Sequence, residues 1–512
     1  MNMDALPDNI PALKDIIADL HSHVNDLEAK MSILRKAIFG PKSEKIAPLR
    51  PNQLHLFISP SDEPLPPEQK AKTVQVPTHT RKKPGRRPLP PHLPRVEVIH
   101  DLPDDEKICG CGTELTCIGR EVSEKLDIVP ATIQVIQHVR PKYACRNCEG
   151  VESEGATVKI AAMPPQIIPQ GIVTPRLLGH IIIAKFIDAL PFYRQEKQFA
   201  RMGIDIPRAT MSNWAILSAT ACLCLIDLLL DEVRGGPIVN MDETTLQVLN
   251  EPGRANTTKS YLWAFRGGTP ERPVIVFHYA ATRSGTVASD ILGDKFKGFI
   301  QTDGYAGYNA IGSRHGVVHV GCLTHVRRKF VEVLDAGGRK NPNGTAKQVV
   351  DAIREIYVIE HMAKEQQLDH EGIRDLRQRE ARPILEEIKR LLDERRQTTP
   401  PKSLLGKAIA YALGQWQRLN HFLDDGRLRP DNNIIENDIR PVAVGRKNWL
   451  FCGDPRGAIA SATFFSLIAT AKANGIDPAK YFPVLFERLP YAKTIDEHKA
   501  LLPQYIDRSL LS

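Results

Sequence analysis

Three acidic residues, far apart in the sequence, have the side chains needed to bind divalent metal ions. They are Asp242, Asp303 and Glu436. Carboxylate oxygens are the ligands that Mg²⁺ prefers, and Mn²⁺ takes the same ligands. Two such ions, about 3.5 to 4 Å apart, can position an oxygen nucleophile and neutralise charge in phosphodiester transfer. Because a single acidic residue at a strand end is usually a turn or cap residue, the metal hypothesis depends on all three together.

The segment that contains Glu436 also carries three cations suited to holding phosphate. They are Arg440, Arg446 and Lys447. Because proline cannot continue a helix, Pro441 predicts that a helix capped by Asp431 or Asn432 ends near Arg440. Glu436 would then lie near a kink, beside the cations. The alternative interpretation is a solvated helix with surface ion pairs.

Two further basic groups are candidates for binding a polyanion. Residues 80–95 contain six Lys or Arg and no acid, a composition typical of an extended arm that lies along phosphates or enters a minor groove. The cations at its centre are Arg81, Lys82, Lys83, Arg86 and Arg87. A second group, His325, Arg327, Arg328 and Lys329, lies on a predicted helix. A solubilising linker and a solvated helix face are the respective alternatives.

Two close pairs of cysteines indicate a structural zinc site. Cys109 and Cys111 form the first pair, and Cys145 and Cys148 the second, with strand-like residues between them that predict a hairpin. Four thiolates in two pairs suit tetrahedral Zn²⁺. The first pair has a gap of one residue rather than two, so Cys117 could replace one of its members. Four free buried thiols remain the alternative interpretation.

The acidic residues must be positioned by strands and helices. Four strand-like segments begin at Ile238, Tyr261, Val274 and Gly298, and carboxylates at strand ends of a mixed sheet can converge on one point. Helical spacing of apolar residues follows Pro169, with a break at Gly203 that suits a helix-turn-helix. A glutamate- and arginine-rich interval from 335 to 428 predicts a helical insertion. Two helices are predicted after it, one ending at Asn474 and one starting at Pro478.

The N-terminal region has an unbroken heptad pattern. Leu13, Ile17, Leu20, Val24 and Leu27 begin a series that continues to Ile38 with alternating spacings of four and three. This pattern predicts a coiled coil, and self-association is the simplest way to bury its apolar stripe. A single helix packed on its own protein is the alternative.

Composition restricts the protein class. A chain of 512 residues is too long for one core, and its formal net charge of +8 permits nucleic acid as a partner without requiring it. Nine cysteines, four of them paired in sequence, fit a reducing cytoplasm better than a secreted disulfide framework. Charges interrupt the apolar runs, so no segment is expected to span a membrane.

Several sequence blocks resemble those of bacterial insertion-sequence transposases of the IS66 family. The most specific are VNMDETTLQV, IQTDGYAGYN, GCLTHVRRKFVE and NNIIENDIRPVAVGRKNWLF. The similarity extends upstream through AIFGPKSEK, GRRPLP, the cysteine pairs and LPFYRQ, so it covers nearly the whole chain. The shortened first cysteine pair departs from the family pattern.

The resemblance implies a multidomain α/β protein with a ribonuclease-H-like, mixed-sheet catalytic core and a DDE active site. Asp242, Asp303 and Glu436 would be the catalytic triad that holds two Mg²⁺ ions, cutting and joining DNA at transposon ends. The expected partners are transposon-end DNA, target DNA, a second copy through the coiled coil and accessory proteins of the same element. The expected location is the bacterial cytoplasm, in association with the nucleoid.

These features together predict eight segments. They are a coiled coil (1–40), a basic proline-rich arm (41–95), a zinc-finger-like domain (96–155), a helical region with a helix-turn-helix (156–235), the first part of the catalytic core (236–334), a helical insertion (335–428), the completion of the core with Glu436 (429–474) and a C-terminal helical tail (475–512).

Two other functions use part of the same features. A zinc-containing DNA-binding regulator would explain the arm, the cysteines and the coiled coil, but it would give the three acids no task. A stand-alone ribonuclease-H-like nuclease would use the acids, but it would need neither the coiled coil nor a long DNA-binding region. Strand transfer distinguishes the three, because only a transposase joins DNA.

Overall fold

The computed structural model describes residues 132–144, 158–337 and 343–511. The predicted coiled coil, the basic arm with Arg81, Lys82, Lys83, Arg86 and Arg87, and the four cysteines Cys109, Cys111, Cys145 and Cys148 all lie outside these residues. The described residues fall into two compact units: the first contains residues 132–139, and the second contains residues 140–144, 158–337 and 343–511.

The strand prediction before Cys145 is wrong for the residues that it named and that the structure describes. Residues 132–141 form no strand, and Val135 and Val139 are exposed, so their alternation does not reflect a buried sheet face. In the second unit, strand β1 (Lys142–Ala144) does pair antiparallel with strand β2 (Val158–Ile160).

A five-stranded mixed sheet forms the centre of the second unit. Its strands are β3 (Ile238–Gln247), β4 (Lys259–Thr269), β5 (Arg272–Ala280), β6 (Gly298–Gln301) and β7 (Val317–Val320). The order across the sheet is β5, β4, β3, β6, β7. Strands β3 to β5 are antiparallel, whereas β6 runs parallel to both β3 and β7. The sequence predicted the first four strands but missed β7, which has four residues.

Within the described residues, four helices precede this sheet. They are α1 (Pro175–Phe186), α2 (Phe192–Arg201), α3 (Arg208–Ala221) and α4 (Leu223–Gly235). The predicted break between α2 and α3 is present, since Gly203 has a φ of 85°, a conformation that glycine adopts without strain. Among the described helices, no single one is long and apolar enough to cross a membrane; α3 and α4 reach that length only as a pair bent by 50°.

The described part of the interval 335–428 is mostly helical and has a hydrophobic core of its own. Two short helices, α5 (Thr286–Leu292) and α6 (Asn309–Gly312), come before it, and α7 (Leu323–Asp335) leads into it. It contains α8 (Thr345–Glu365), α9 (His370–Leu376), α10 (Arg382–Thr398), α11 (Leu404–Gly414) and α12 (Trp416–Asn420). Buried residues of α8, such as Ile353 and Ile356, pack with Phe330 of α7 in a cluster separate from the one around most of the sheet.

The predicted helix end near Arg440 is wrong. Helix α13 spans Asn433–Trp449 with Pro441 inside it. Proline within a helix costs roughly 3 kcal/mol, but here Pro441 is exposed while Val442 and Trp449 beyond it are buried. The apolar stripe that starts at Ile435 therefore continues past the proline, and burial of its second half outweighs the lost hydrogen bond.

Helix α14 (Pro455–Ala473) covers the edge of the sheet. Its Thr470 hydroxyl accepts from the backbone N–H of Ile275 at 3.0 Å and donates to the carbonyl of the same residue at 2.9 Å. Ser466, four residues earlier, accepts from the N–H of Phe277 at 2.7 Å. Because residues four apart lie on one helix face, these hydroxyls satisfy alternate backbone groups of edge strand β5.

Two more α-helices follow, α15 (Pro478–Arg488) and α16 (Ile495–Lys499), and the described residues end in a 3-10 turn at Arg508–Leu511. As predicted, α14 stops before Asn474, and Pro478 starts the next helix. Tyr481 and Phe482 of α15 are fully buried in the cluster that surrounds the sheet, so this segment is part of the core.

Candidate functional site

The three carboxylates named by the sequence lie on three different elements. Asp242 is in the middle of β3, Asp303 follows the end of β6, and Glu436 is in the first turn of α13. Because β3 and β6 are adjacent and parallel, the loop after β6 lies next to the second half of β3. The loop that precedes α13 is hydrogen-bonded to residues of the same two strands.

The Asp242 carboxyl is strongly affected by its surroundings. Burial, together with the negative charges of Glu243, Asp303 and Glu436, raises its pKa to about 8, against the lowering effect of a hydrogen bond from the backbone N–H of Glu243. That hydrogen bond is 2.8 Å long. Asp242 is thus a carboxyl placed among other carboxylates, an arrangement that a cation would relieve.

Glu243, the next residue on β3, has the opposite environment. Its carboxylate accepts from Arg283 Nε at 2.5 Å and from the hydroxyl of buried Tyr308. The Arg283 guanidinium lies 3.9 Å from the centre of the Tyr305 ring, and the Tyr305 hydroxyl donates to the Arg283 carbonyl at 2.7 Å. Sequence reasoning missed this group, although an acid directly after Asp242 was a visible signal.

The same tyrosine fixes the loop that carries Asp303. The backbone N–H of Tyr305 donates to Asp303 Oδ1 at 2.9 Å, leaving the other carboxylate oxygen available. On the other side, Gly304 is so close to the Tyr411 ring that a side chain at this position would clash with it. Burial raises the pKa of Tyr411 to about 12, with the negative charge of Asp303 as a further cause. Asp303 is therefore held between the sheet and the helical insertion.

Glu436 lies beside two basic side chains of α7. Arg328 NH2 is 3.5 Å from Glu436 Oε2, and His325 Nδ1 is 3.8 Å from Oε1. Within the described residues, both Glu436 Oε1 and His325 Nδ1 are buried without a hydrogen-bond partner. Burial and the positive charge of Arg328 lower the pKa of His325, while Glu436 and Asp303 act in the opposite direction. An unpaired buried carboxylate oxygen is costly, and it is a feature of a ligand-binding group.

A buried polar network connects the start of α13 to the sheet. The Asn432 amide donates to the Met241 carbonyl at 2.9 Å and accepts from Asn240 Nδ2, also at 2.9 Å. The Gln301 amide, which accepts from Asn240, donates to the Arg429 carbonyl at 2.6 Å. Residues adjacent to Asp242 and to the end of β6 thereby fix the loop that leads to Glu436.

The helical insertion also contacts this loop. The hydroxyl of buried Tyr357, on α8, donates to Asp431 Oδ2 at 2.6 Å, and Asp431 Oδ1 accepts from the backbone N–H of Asn433 at 3.0 Å. The same hydroxyl lies 3.0 Å from Thr324 Oγ1. The insertion therefore supports the first turn of α13, although it separates Glu436 from Asp303 by many residues in the sequence.

The predicted phosphate-binding cations on α7 and α13 differ in exposure. Arg328 and Lys329 are exposed, while Arg327 is partly buried. Arg440 and Lys447 are exposed, whereas Arg446 NH1 bonds to Thr244 Oγ1 at 2.8 Å and to the Thr245 backbone, holding α13 against β3. A DNA contact from Arg446 would therefore use its other nitrogen.

The donor atoms of the site suit a divalent cation, although no metal-binding geometry is preformed. In the part of the chain that the structure describes, no three His, Cys, Asp or Glu side chains have the spacing of a completed metal site. A cation would nevertheless stabilise two groups here. Glu436 Oε1 has no hydrogen-bond partner among the described residues, and the charged form of the Asp242 carboxyl is unfavourable in its surroundings. These hard oxygen ligands fit Mg²⁺ or Mn²⁺ better than Zn²⁺.

Comparison with protein families gives four matches along the chain. The model described as "Transposase IS66 family" matches residues 170–460, and the "IS66 C-terminal element" matches residues 466–504. The model "zinc-finger binding domain of transposase IS66" matches residues 106–149, and "Transposase C of IS166 homeodomain" matches residues 26–98. The four models follow one another from residue 26 to residue 504.

Similar proteins occur in Sinorhizobium fredii (strain NBRC 101917 / NGR234). The uncharacterized protein y4jD is 34% identical over 508 residues, covering 95% of this chain and 96% of its own. The uncharacterized protein y4qI is 34% identical over 440 residues, covering 82% and 78%. A shorter one, y4aQ, is 41% identical over 183 residues, which is 34% of this chain and 93% of its own.

Proposed function

Because this chain belongs to the IS66 family of transposases, we propose that it cuts and joins DNA at the ends of an insertion sequence. The observation that carries the proposal is that the Asp242 carboxyl lies within the electrostatic influence of carboxylates from two other elements. Asp303 and Glu436 both raise the pKa of Asp242, so their charges act in one place. That arrangement has a use in a transposase, where acids must hold metal ions at the scissile phosphate.

We also propose that the five-stranded sheet belongs to a ribonuclease-H-like core. Three antiparallel strands followed by two parallel ones, with β3 at the centre, support this assignment. Such a core would present Asp242 and the Asp303 loop on neighbouring strands. A metal-bound structure with the three carboxyl groups more than about 10 Å apart would contradict it, since they could not share two ions.

In this proposal Asp242, Asp303 and Glu436 hold two Mg²⁺ ions. When bound, such ions supply charge neutralisation and an activated oxygen nucleophile for phosphodiester transfer. The chain's own contribution is positioning: Tyr305 fixes Asp303, and the Asn432 network fixes the helix of Glu436. Arg328, adjacent to Glu436, is placed to bind a phosphate oxygen of the DNA strand.

DNA binding is proposed to involve more of the chain than the carboxylate site. The proposed phosphate contacts are Arg81, Lys82, Lys83, Arg86 and Arg87 in the arm, Arg327, Arg328 and Lys329 on α7, and Arg440, Arg446 and Lys447 on α13. We further propose that the N-terminal coiled coil makes the protein a homo-oligomer and that accessory proteins of the same element assist it. Light scattering of the purified protein measures its oligomeric state, and a monomer would contradict the proposed homo-oligomer.

A structural zinc ion is proposed for the cysteine pairs. The zinc-finger family match over residues 106–149 includes Cys109, Cys111, Cys145 and Cys148, and four thiolates suit tetrahedral Zn²⁺. Metal analysis of the purified protein should find about one zinc per chain, and chelation should destabilise this region. A protein without zinc would leave the cysteines as ordinary thiols.

The decisive test of function uses Glu436→Gln. This change keeps the size and hydrogen bonding of the side chain but removes its charge, so strand joining should fall by about a hundredfold or more. DNA binding should persist, because the phosphate contacts are made elsewhere. The assay uses a labelled duplex carrying the terminal repeat of the element, with gel shift and joined product measured separately.

Three results would count against the proposal. A variant that joins DNA as well as the parent would remove Glu436 from the reaction. A parent protein that cuts but does not join would be a nuclease, and one that binds without cutting would be a regulator. If the variant loses both binding and joining, a thermal melt must show an intact fold before the loss is attributed to chemistry.

A further inference from the structure

Helix α13 is followed by an apolar pair that is exposed among the residues that the structure describes. Leu450 is 63% exposed and Phe451 is 47% exposed. We call these two residues the tip. One and a half turns before the tip, Val444 is also exposed, at 51%. Large apolar side chains grouped at one point of a surface indicate a binding site more strongly than scattered ones do.

The tip has a strained backbone. Leu450 has a φ of 63° and a ψ of −52°, and the N–H of Phe451 donates to the carbonyl of Trp449 at 2.8 Å. This is a γ-turn of the rarer kind, with positive φ at its central residue. For a residue with a side chain, such a conformation is unfavourable. Strain of this kind is concentrated at functional sites.

Both sides of the tip are firmly anchored. On one side Trp449 is buried, and the N–H of Leu450 completes the helix by donating to the Arg446 carbonyl at 2.8 Å. On the other side Cys452 is buried and pairs with the end of β3, donating to the Gln247 carbonyl and accepting from the N–H of Leu249, both at 2.9 Å. The tip is therefore a rigid projection.

Two elements connect the tip to the carboxylates and set its distance from them. Along α13, fourteen residues separate Glu436 from Leu450, which is about 21 Å at the helical rise. Along β3, five residues separate Asp242 from Gln247, which is about 17 Å. The tip therefore lies roughly 20 Å from the carboxylates, a length of about six base pairs.

The surface of α13 between the carboxylates and the tip is suited to binding a phosphate backbone. Asn437, Arg440, Val444 and Lys447 are exposed and recur at helical spacing along α13. Among the described residues, neither Arg440 nor Lys447 has an ion-pair partner. The acid on this part of the helix, Asp438, is paired with Arg266 at 2.7 Å. A cationic stripe thus begins at the carboxylates and ends at the apolar tip.

We propose that the tip is a DNA wedge. Arg440 and Lys447 bind phosphates of a duplex whose end lies at the carboxylates, and Leu450 and Phe451 enter the base stack several base pairs away. Leucine and phenylalanine are typical of side chains that unstack base steps, and bases stack on aromatic rings regardless of sequence. This inference rests on the proposed function, because it requires DNA at the carboxylate site.

The wedge can be detected by fluorescence of 2-aminopurine, which increases when the base leaves the stack. A set of terminal-repeat duplexes would carry this base at successive positions from the cleavage point, and each would be mixed with full-length protein in chelator. We expect a several-fold increase at one or two positions about six base pairs from that point. Phe451→Ala should abolish the increase and weaken DNA binding by about fivefold to a hundredfold, whereas Phe451→Trp should retain both.

Two further variants separate a wedge from a structural role. Leu450→Gly removes side-chain contacts with DNA but also relieves positive-φ strain, so it should reduce the fluorescence change while leaving the melting temperature equal or higher. Ile495→Ala removes another exposed apolar side chain, 72% exposed on α16, and should change neither property. A lower melting temperature for Leu450→Gly with unchanged fluorescence would overturn the proposal.

The remaining outcomes are also decisive. A parent protein that joins terminal-repeat DNA but produces no 2-aminopurine signal at any position would overturn the wedge and leave the proposed function intact. A parent that does not join DNA would contradict the proposed function itself. If Phe451→Ala leaves the fluorescence unchanged and reduces the oligomer size measured by light scattering, the tip is a contact between copies of the chain, and the wedge is wrong.

Discussion

Asp242 and Glu243 are neighbours on one strand, yet they have opposite surroundings. Glu243 is neutralised by Arg283 and bonded to Tyr308, whereas Asp242 accepts one backbone hydrogen bond and faces other negative charges. One acid is satisfied within the protein, and the other is left for a partner. Acidic character in the sequence is therefore a weaker guide to metal binding than the balance of charge around each carboxyl.

The largest expected difference between the two acids is in strand joining. Asp242→Asn should reduce it by about a hundredfold to a thousandfold, because a proposed metal ligand is lost. Glu243→Gln should reduce it by about tenfold or less, since the side chain acts by holding Arg283 and Tyr308. Joined product from a labelled terminal-repeat duplex measures both, with gel shift as the control for binding. Equal losses would make Glu243 part of the reacting site.

The two variants should also change stability in opposite directions when metal is absent. The folded Asp242 carboxyl has a pKa of about 8, whereas the unfolded one has a pKa of about 4. Ionising it therefore opposes folding, and this group's contribution worsens as pH rises from about 4 to about 8, then stays constant. In chelator at pH 8, Asp242→Asn should melt above the parent and Glu243→Gln below it.

The pH dependence itself provides the control. The melting temperature of the parent relative to Asp242→Asn should decline between pH 5 and pH 8, and added Mg²⁺ should raise the parent at pH 8 while leaving the variant nearly unchanged. A difference that does not vary with pH would show that the Asp242 carboxyl is not unfavourably ionised in the folded chain.

The smallest expected effect concerns how the third carboxylate is held. Tyr357→Phe removes the hydroxyl that donates to Asp431, next to the start of α13. The matched control is Tyr481→Phe, which removes a hydroxyl in the core that donates to the Leu501 carbonyl at 2.9 Å. Each should cost about 1–2 kcal/mol of unfolding free energy. Only Tyr357→Phe should raise the Mg²⁺ concentration needed for half-maximal joining. If both variants need the same Mg²⁺ concentration for half-maximal joining, Tyr357 contributes to stability and not to the positioning of Glu436.

The sequence predicted the sheet well because its strands are apolar runs bounded by turn residues. β3, β4, β5 and β6 were recognisable in this way. β7 was missed although it is as long as β6 and lies between Gly316 and Gly321, because it shows no clear alternation of apolar and polar residues. The end of helix α13 was predicted wrongly for a different reason. Local rules end a helix at proline, but the burial of Val442 and Trp449 is a tertiary effect that the segment alone does not express.

The candidate site was only partly visible in the sequence. Motif resemblance identified the three acids, and their metal-binding role stays a prediction. Strand-end reasoning is right for Asp303, which follows β6, but wrong for Asp242, which lies in the middle of β3. The Arg283 and Tyr305 pair could not be foreseen, because it joins residues on two loops that meet only after the sheet has formed. The same is true of Tyr357, which contacts Asp431 from 74 residues away.

The hydroxyls of Ser466 and Thr470 have a consequence for assembly. A bare edge strand is a template onto which another chain can add, and proteins crowded on one DNA molecule meet at high local concentration. Here the outer backbone groups of β5 at Ile275 and Phe277 are already bonded to α14. Strand addition at this edge would require those bonds to break, so copies of this chain that come close together can touch without merging their sheets into an aggregate.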